Sequence, residues 1–408
     1  MAQISSSETA EAAETRNSTS DGESSQSRRT LIASSTAHAV HDGLTDLVYV
    51  LLPIWQQQFG LGYAMVGLLR GLYSGMMASC QLGMSRLALR WGSKRLLVAG
   101  TALAGLAYLL AGQAGGLTVL LIALALGGLG ASTQHPLASS LLADSCDNDT
   151  HMRRALSQYN FAGDIGKTLI PALVGISLSW MSWRGSLTLM GLMGLLTAVA
   201  LALLIPDQLK KRTAASKTSS ASVNHAATRS GFLALQLTGT LDSAVRMGFL
   251  TFLPFLLKAK GAGSSGIGLA LSLLFIGGAF GKLFCGYLGA RIGMMKTVWL
   301  TETATAVLIA ASVFLPLHVM MALLPLLGLV LNGTSSVLYG TVPAFSGVAP
   351  RERIFALFYT GTIGGGALAP VIFGQLGDSI GMTPSILSLA ALLLLTVPLA
   401  WKVQQALE

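Results

Sequence analysis

Runs of about 20 apolar residues recur from Ser35 to Trp401. Each is long enough to cross a hydrocarbon core ~30 Å thick as a helix, and lipid leaves an unpaired backbone N–H or C=O no other partner. Twelve such runs fit, so the sequence predicts an all-α membrane protein with twelve transmembrane helices. Of 408 residues, 52% are hydrophobic and 11% charged, and the mean hydropathy is +0.64, too apolar for an ordinary water-facing surface.

In a soluble domain, a formal charge of +9 would raise nucleic acid as a partner. Its placement argues against that. Arg28, Arg29, Arg90, Lys94, Arg95, Arg153, Arg154, Lys210, Lys211, Arg212, Lys217, Arg229, Arg291, Lys296, Arg351, Arg353 and Lys402 fall in the tails and in alternate loops. The other loops hold Arg184, Lys258 and Lys260. By the positive-inside rule the first set is cytoplasmic, which predicts both termini inside and a bacterial inner-membrane location. Residues 1–30, rich in Ser, Thr, Glu and Ala and without the apolar core of a signal peptide, are expected to form a disordered tail. Residues 206–230 are the one long hydrophilic interruption. They predict a cytoplasmic linker between six-helix bundles at 31–205 and 231–403, with 404–408 as a short tail. Cys80, Cys146 and Cys285 have neither paired spacing nor His partners at metal-ligand intervals, so neither a disulfide nor a metal site is expected.

The first apolar run is also the most polar one. As a helix it places His38, Asp42, Asp46, Tyr49 and Pro53 on one face, with His41 and Thr45 beside them. A carboxylate at mid-bilayer depth costs about 2.5–3.5 kcal/mol on insertion scales, so two of them one turn apart must look into protein or a watery cavity. Asp42 and Asp46 are therefore the expected proton carriers. The second helix carries Gly67, Gly71 and Gly75 at the spacing that lets helices approach closely, together with Arg70 and Gln81. Arg70 reads either as a snorkelling side chain near the outer end or as an anion contact and gate partner for an aspartate of the first helix. In the fifth helix Asp164 and Lys167 lie one turn apart and share a face with Asn160 and Pro171. They read as an internal ion pair, or as a pair that opens when a proton or an anionic solute competes, which makes Asp164 the third proton candidate. His135 reads as a packing hydrogen bond or as a proton carrier. In the second half Asp242 and Arg246, one turn apart, are expected to pair, and Lys282 and Glu302 are the remaining intramembrane charges.

The turn Arg90-Trp91-Gly92-Ser93-Lys94-Arg95 resembles the cytoplasmic loop between helices two and three of the major facilitator superfamily. It departs from that pattern at Leu89 and Ser85, where the family has an acidic residue and a leading glycine. A first helix with His and Asp before Leu-Pro, a fourth with small residues before His135-Pro136, and a fifth with Gln158, Gly163, Gly166 and Pro171 resemble the fosmidomycin-resistance branch. The resemblance implies two pseudo-symmetric bundles and solute transport by a monomer in a lipid bilayer. It carries over onto His38 or His41, Asp42, Pro53, Gln81, Gly130, His135, Pro136, Gln158, Gly163, Gly166 and Pro171. It also implies a gating role for Arg90, Gly92, Lys94 and Arg95.

The second half repeats the first at one constant offset. Gly67-Leu68 matches Gly268-Leu269, Leu82 matches Leu283, Arg90 and Gly92 match Arg291 and Gly293, and Gln81 falls on Lys282. Pro370 after a glycine-rich stretch echoes Pro171. Such duplication places a site at the interface of the bundles near the midplane, and gives Arg291 and Gly293 the same gating role.

The expected function is alternating-access transport of a small organic solute, driven by a proton gradient and without a cofactor. Arg70, Lys167, Arg246 and Lys282 favour an anion. His38, His41, Gln81, His135, Asn160 and Asp242 complete the expected binding set. Export by proton antiport is the first reading and import by proton symport the alternative. An enzyme would need a nucleophile–base constellation, a metal cluster or a phosphate loop, and a sensor a folded soluble domain; the sequence offers none of these.

Overall fold

The computed structural model describes residues 4–146, 148–206, 229–345 and 351–408. Among these, the chain is helical throughout and contains no strand. The first half comprises α1 (Ile4–Phe59), α2 (Tyr63–Trp91), α3 (Ser93–Gly112), α4 (Leu117–Asp144), α5 (Asp149–Ser177) and α6 (Trp183–Leu204). The second comprises α7 (Arg229–Ala259), α8 (Ser264–Ile292), α9 (Met294–Phe314), α10 (Leu317–Thr341), α11 (Arg351–Ile380) and α12 (Met382–Gln405). Nine of the described helices are long and apolar enough to cross a membrane. The other three, α1, α2 and α5, complete the expected twelve; they are less apolar because they carry His38, His41, Asp42, Asp46, Arg70, Asp164 and Lys167.

In the stretch expected as a tail, the backbone is helical from Ile4 onward and runs into α1 without a break. The expected linker falls mostly at 207–228, outside the described residues.

The internal repeat is visible in the backbone. α2 and α8 are each 29 residues long. Gly60 and Gly261 precede them and Gly92 and Gly293 follow them, all four at positive φ (62°, 93°, 85° and 96°), where a Cβ is strained. Arg90 and Arg291 occupy the last turns of the two helices, where the carbonyl end of a helix favours a cation.

Within the halves α1 packs on α5 and α3 on α6, as α7 does on α11 and α8 on α10. The halves meet through α2 against α11 and α5 against α8. Each contact relies on glycine at equivalent places. A methyl group at Gly67 would overlap the Pro370 carbonyl oxygen, and one at Gly268 would fall 2.6 Å from that of Pro171. Gly71 similarly abuts the Ala367 carbonyl, whereas Gly75 has no atom within 4 Å of an added methyl.

The two ends of the molecule therefore differ. At the end bearing Tyr63 and Ser264 the halves are closed. There the Asp378 carboxylate accepts hydrogen bonds from the backbone N–H of Tyr63 (2.7 Å) and Ala64 (2.9 Å), and Tyr63 packs edge-on against Phe252 and Phe255. At the opposite end, which carries the basic turns, Gly75 and Gly83 of α2 and Gly364 of α11 face open space.

Candidate functional site

A cavity of about 290 Å³ lies between the halves, midway along the helices. His41, Asp42, Thr45, Asp46 and Tyr49 of α1 form one wall, joined by Arg70 of α2, His135 of α4, and Asp164 and Lys167 of α5. Arg246 and Met247 of α7, Phe275 and Lys282 of α8, and Asn332 and Ser335 of α10 face them. α4 reaches the cavity through a break at Ser132-Thr133, where both hydroxyls turn back onto carbonyls of the preceding turn (2.6 and 2.9 Å). Pro136, having no N–H, cannot continue the ladder there, and His135 is set at the cavity edge.

Four ion pairs surround this space. Lys167 Nζ lies 3.1 Å from Asp42 Oδ2, Arg70 Nη2 3.6 Å from Asp46, Arg246 Nη2 3.4 Å from Asp242, and Lys282 Nζ 2.7 Å from Asp164. In three of them the cation is the more exposed partner: Lys167, Arg246 and Lys282 are 32%, 22% and 42% exposed, their carboxylates 7%, 6% and 14%. The cavity thus presents ammonium and guanidinium groups to water, with the acids behind them. Arg70 is the exception. Fully enclosed, it lies 4.5 Å over the Tyr49 ring and donates to Ser74 Oγ at 2.5 Å. The snorkelling reading of Arg70 is thereby corrected: its partner Asp46 lies one helix away, and that pairing draws the guanidinium inward.

The pairing expected within α5 is corrected as well. Lys167 reaches to α1, and Asp164 takes Lys282 from the other half, the one ion pair that joins the halves among the described residues. Asp242 and Arg246 pair within α7 as their spacing predicts. Glu302 of α9 is also enclosed, 2% exposed. His38 stands behind Asp42, its Nε2 3.3 Å from the carboxylate. Gln81 and Asn160 lie outside the cavity lining. Arg90, Gly92, Arg95, Arg291 and Gly293 are exposed at the open end, with Lys94 half-buried.

The family model of the Major Facilitator Superfamily matches residues 35–241. The chain belongs to the Major Facilitator Superfamily. Its fold is that of solved superfamily transporters. A bacterial homolog of the human lysosomal transporter Spinster superposes in its inward-facing occupied form with a TM-score of 0.76, at 15% identity over 92% of this chain and 96% of that one. The inward-facing unoccupied form gives 0.77, at 16% identity over 93% and 97%. A mutant of the nucleoside transporter NupG gives 0.74, at 14% identity over 94% and 100%. A stretch of 144 residues is 30% identical to the drug efflux pump JefA of Mycobacterium tuberculosis, in strains CDC 1551 / Oshkosh and H37Rv. That stretch is 34% of this chain and 27% of the relative, so the chain spans about a quarter of JefA's length. The chain's family and fold are those of transporters, which are not enzymes.

Sequence reasoning missed Asp378, whose partners in α2 lie more than 300 residues away and leave no local signal. Asn332 and Ser335 were also missed, although two polar side chains one turn apart in an apolar helix could have marked the cavity face of α10.

Proposed function

We propose that the chain is a proton-coupled secondary transporter of a small organic anion, working by alternating access, and that the arrangement described is its inward-facing state. The observation that carries this reading is the layering of the cavity, with cations toward water and their carboxylates behind. The basic turns at the open end support the orientation through the positive-inside rule. Asp46, Asp164 and Asp42 are the proposed proton carriers, and Arg70, Lys282 and Lys167 the anion contacts each would release.

The sign of coupling follows from the pairs. A deprotonated Asp164 holds Lys282 and competes with an incoming anion; a protonated one frees it. Proton and anion therefore bind together, which is the linkage of symport. Export by antiport, supported by the stretch shared with an efflux pump, requires that solute and proton exclude one another. That fits a cationic or neutral compound held by Asp46 or Asp164 themselves.

The test is uptake and resistance in a pump-deficient bacterium expressing the chain. A panel of organic anions, fosmidomycin and lipophilic cations would be used, with Asp46→Asn and Asp164→Asn at equal membrane expression. Symport predicts that an anion accumulates, more so at acid external pH, and that both substitutions uncouple accumulation from the proton gradient. Protection against a cation, lost in Asp46→Asn, would establish antiport in its place. No effect on any compound would sink the assignment of these carboxylates.

A further inference from the structure

Asp42 is surrounded by more nitrogen than its ion pair with Lys167 uses. The Nε2 atoms of His38, His41 and His135 lie 3.3, 3.7 and 3.8 Å from its carboxylate oxygens. The last two distances exceed a hydrogen bond. The Nε2 atoms of His38 and His41 are buried and have no hydrogen-bond partner among the described residues. The tautomer of His38 follows from its other nitrogen. Nδ1 lies 2.7 Å from the Tyr159 carbonyl oxygen, which only accepts, so Nδ1 carries a proton, and in the neutral ring Nε2 presents its lone pair toward Asp42. The ring is fixed by stacking on that of Tyr159, 4.0 Å between centroids. His135 stands edge-on to both other imidazoles at 5.1 Å.

A lone pair facing a carboxylate puts two acceptors together, and a cation between them resolves the conflict. In a tetrahedral site with bonds of about 2.0–2.1 Å, neighbouring ligand atoms lie roughly 3.3–3.4 Å apart, which is the distance of His38 Nε2 from Asp42 Oδ2. The donor atoms of His38, Asp42 and His135 all fall within 4.8 Å of one another. Donation from the second imidazole nitrogen to a backbone carbonyl is how metal-ligating histidines are oriented. Gly163 leaves the space, since a methyl there would stand 2.6 Å from Asp42 Oδ2 and 2.7 Å from His38 Cε1. His135, 41% exposed, opens onto the cavity and gives an ion its way in.

We propose that His38, His135 and Asp42 form a binding site for a transition-metal dication of the Zn²⁺, Ni²⁺ and Co²⁺ class. These ions favour imidazole with one carboxylate, as Mg²⁺ and Ca²⁺ do not. The metal takes the place of the Lys167 ammonium at Asp42. Displaced, Lys167 finds Asp164 one turn back on α5 and competes there with Lys282, so an ion bound within the first half loosens the bridge between the halves. His38 and Asp42 stand one turn apart on α1, but the site is completed by His135 of α4, which no local spacing joins to them.

The site lies in the proposed transport cavity, but its test needs no solute. Full-length protein with its affinity tag removed is titrated with Zn²⁺ by calorimetry and with Co²⁺ by visible absorption. One saturable ion per chain is expected. His38→Ala and His135→Ala each weaken binding by about tenfold or more. Lys167→Met, which removes the competing ammonium, tightens it by about tenfold. Absence of saturable binding in the native protein, or binding indifferent to the histidine substitutions, overturns the proposal. Should those variants aggregate, unchanged or weaker binding by Lys167→Met overturns it alone. Failure here would leave the transport assay standing, and failure of that assay would leave this titration readable.

Discussion

Arg70 and Lys282 are both cavity cations paired with an aspartate, yet their surroundings assign them different energetic weights. Arg70 is 2% exposed and Asp46 9%, so removing the guanidinium leaves an enclosed carboxylate without its partner. Arg70→Ala is therefore expected to cost about 3–5 kcal/mol in the thermal unfolding of detergent-purified protein, part of it regained when Asp46→Asn is added. Lys282→Ala breaks a pair whose cation is 42% exposed and is expected to cost about 0–1 kcal/mol. Equal losses for the two would contradict this reading. Sequence reading identified every charge in these pairs, and named the partner for Asp242 and Arg246 on one helix and, as one of two readings, a first-helix aspartate for Arg70. For Lys167 the neighbour at three residues lost to Asp42 on α1, a competition decided by packing that periodicity does not encode.

At the scale of elements, the glycines of α2 show the reach of a sequence reading and its limit. The spacing of Gly67, Gly71 and Gly75 announced a close helix contact, and the first two make it, against Pro370 and Ala367 of α11. Gly75 belongs to the same stripe but lies beyond the point where the halves diverge. Nothing local distinguishes it, because the divergence is set by how two six-helix units lean together. Gly67→Leu forces a side chain into backbone, so spin labels at the closed ends of α2 and α11 should move apart. Gly75→Leu, entering open space, should leave that distance unchanged. The break in α4 was half legible: His135-Pro136 announced a proline, but not that both preceding hydroxyls would bond back to their own turn and turn the histidine into the cavity.

For the whole molecule, the repeat was the most legible feature, because helix lengths and positive-φ glycines recur with the sequence offset itself. The state in which the halves rest was not legible, since it depends on contacts such as Asp378 with α2 that span most of the chain. Asp378→Ala removes the acceptor from the first two amides of α2, which are unpaired within their own helix. Leu250 of α7 also lines the cavity, and a cysteine placed there as Leu250→Cys should then react several-fold faster with an impermeant maleimide applied to the closed end. An unchanged rate would show that the Asp378 contact does not hold that end shut. The two donors here belong to the main chain, and every amino acid except proline supplies them. Any residue but proline at 63 and 64 therefore keeps these two hydrogen bonds, and a mutational survey would register Tyr63 through its ring against Phe252 and Phe255 while registering the amide lock at Asp378 of α11.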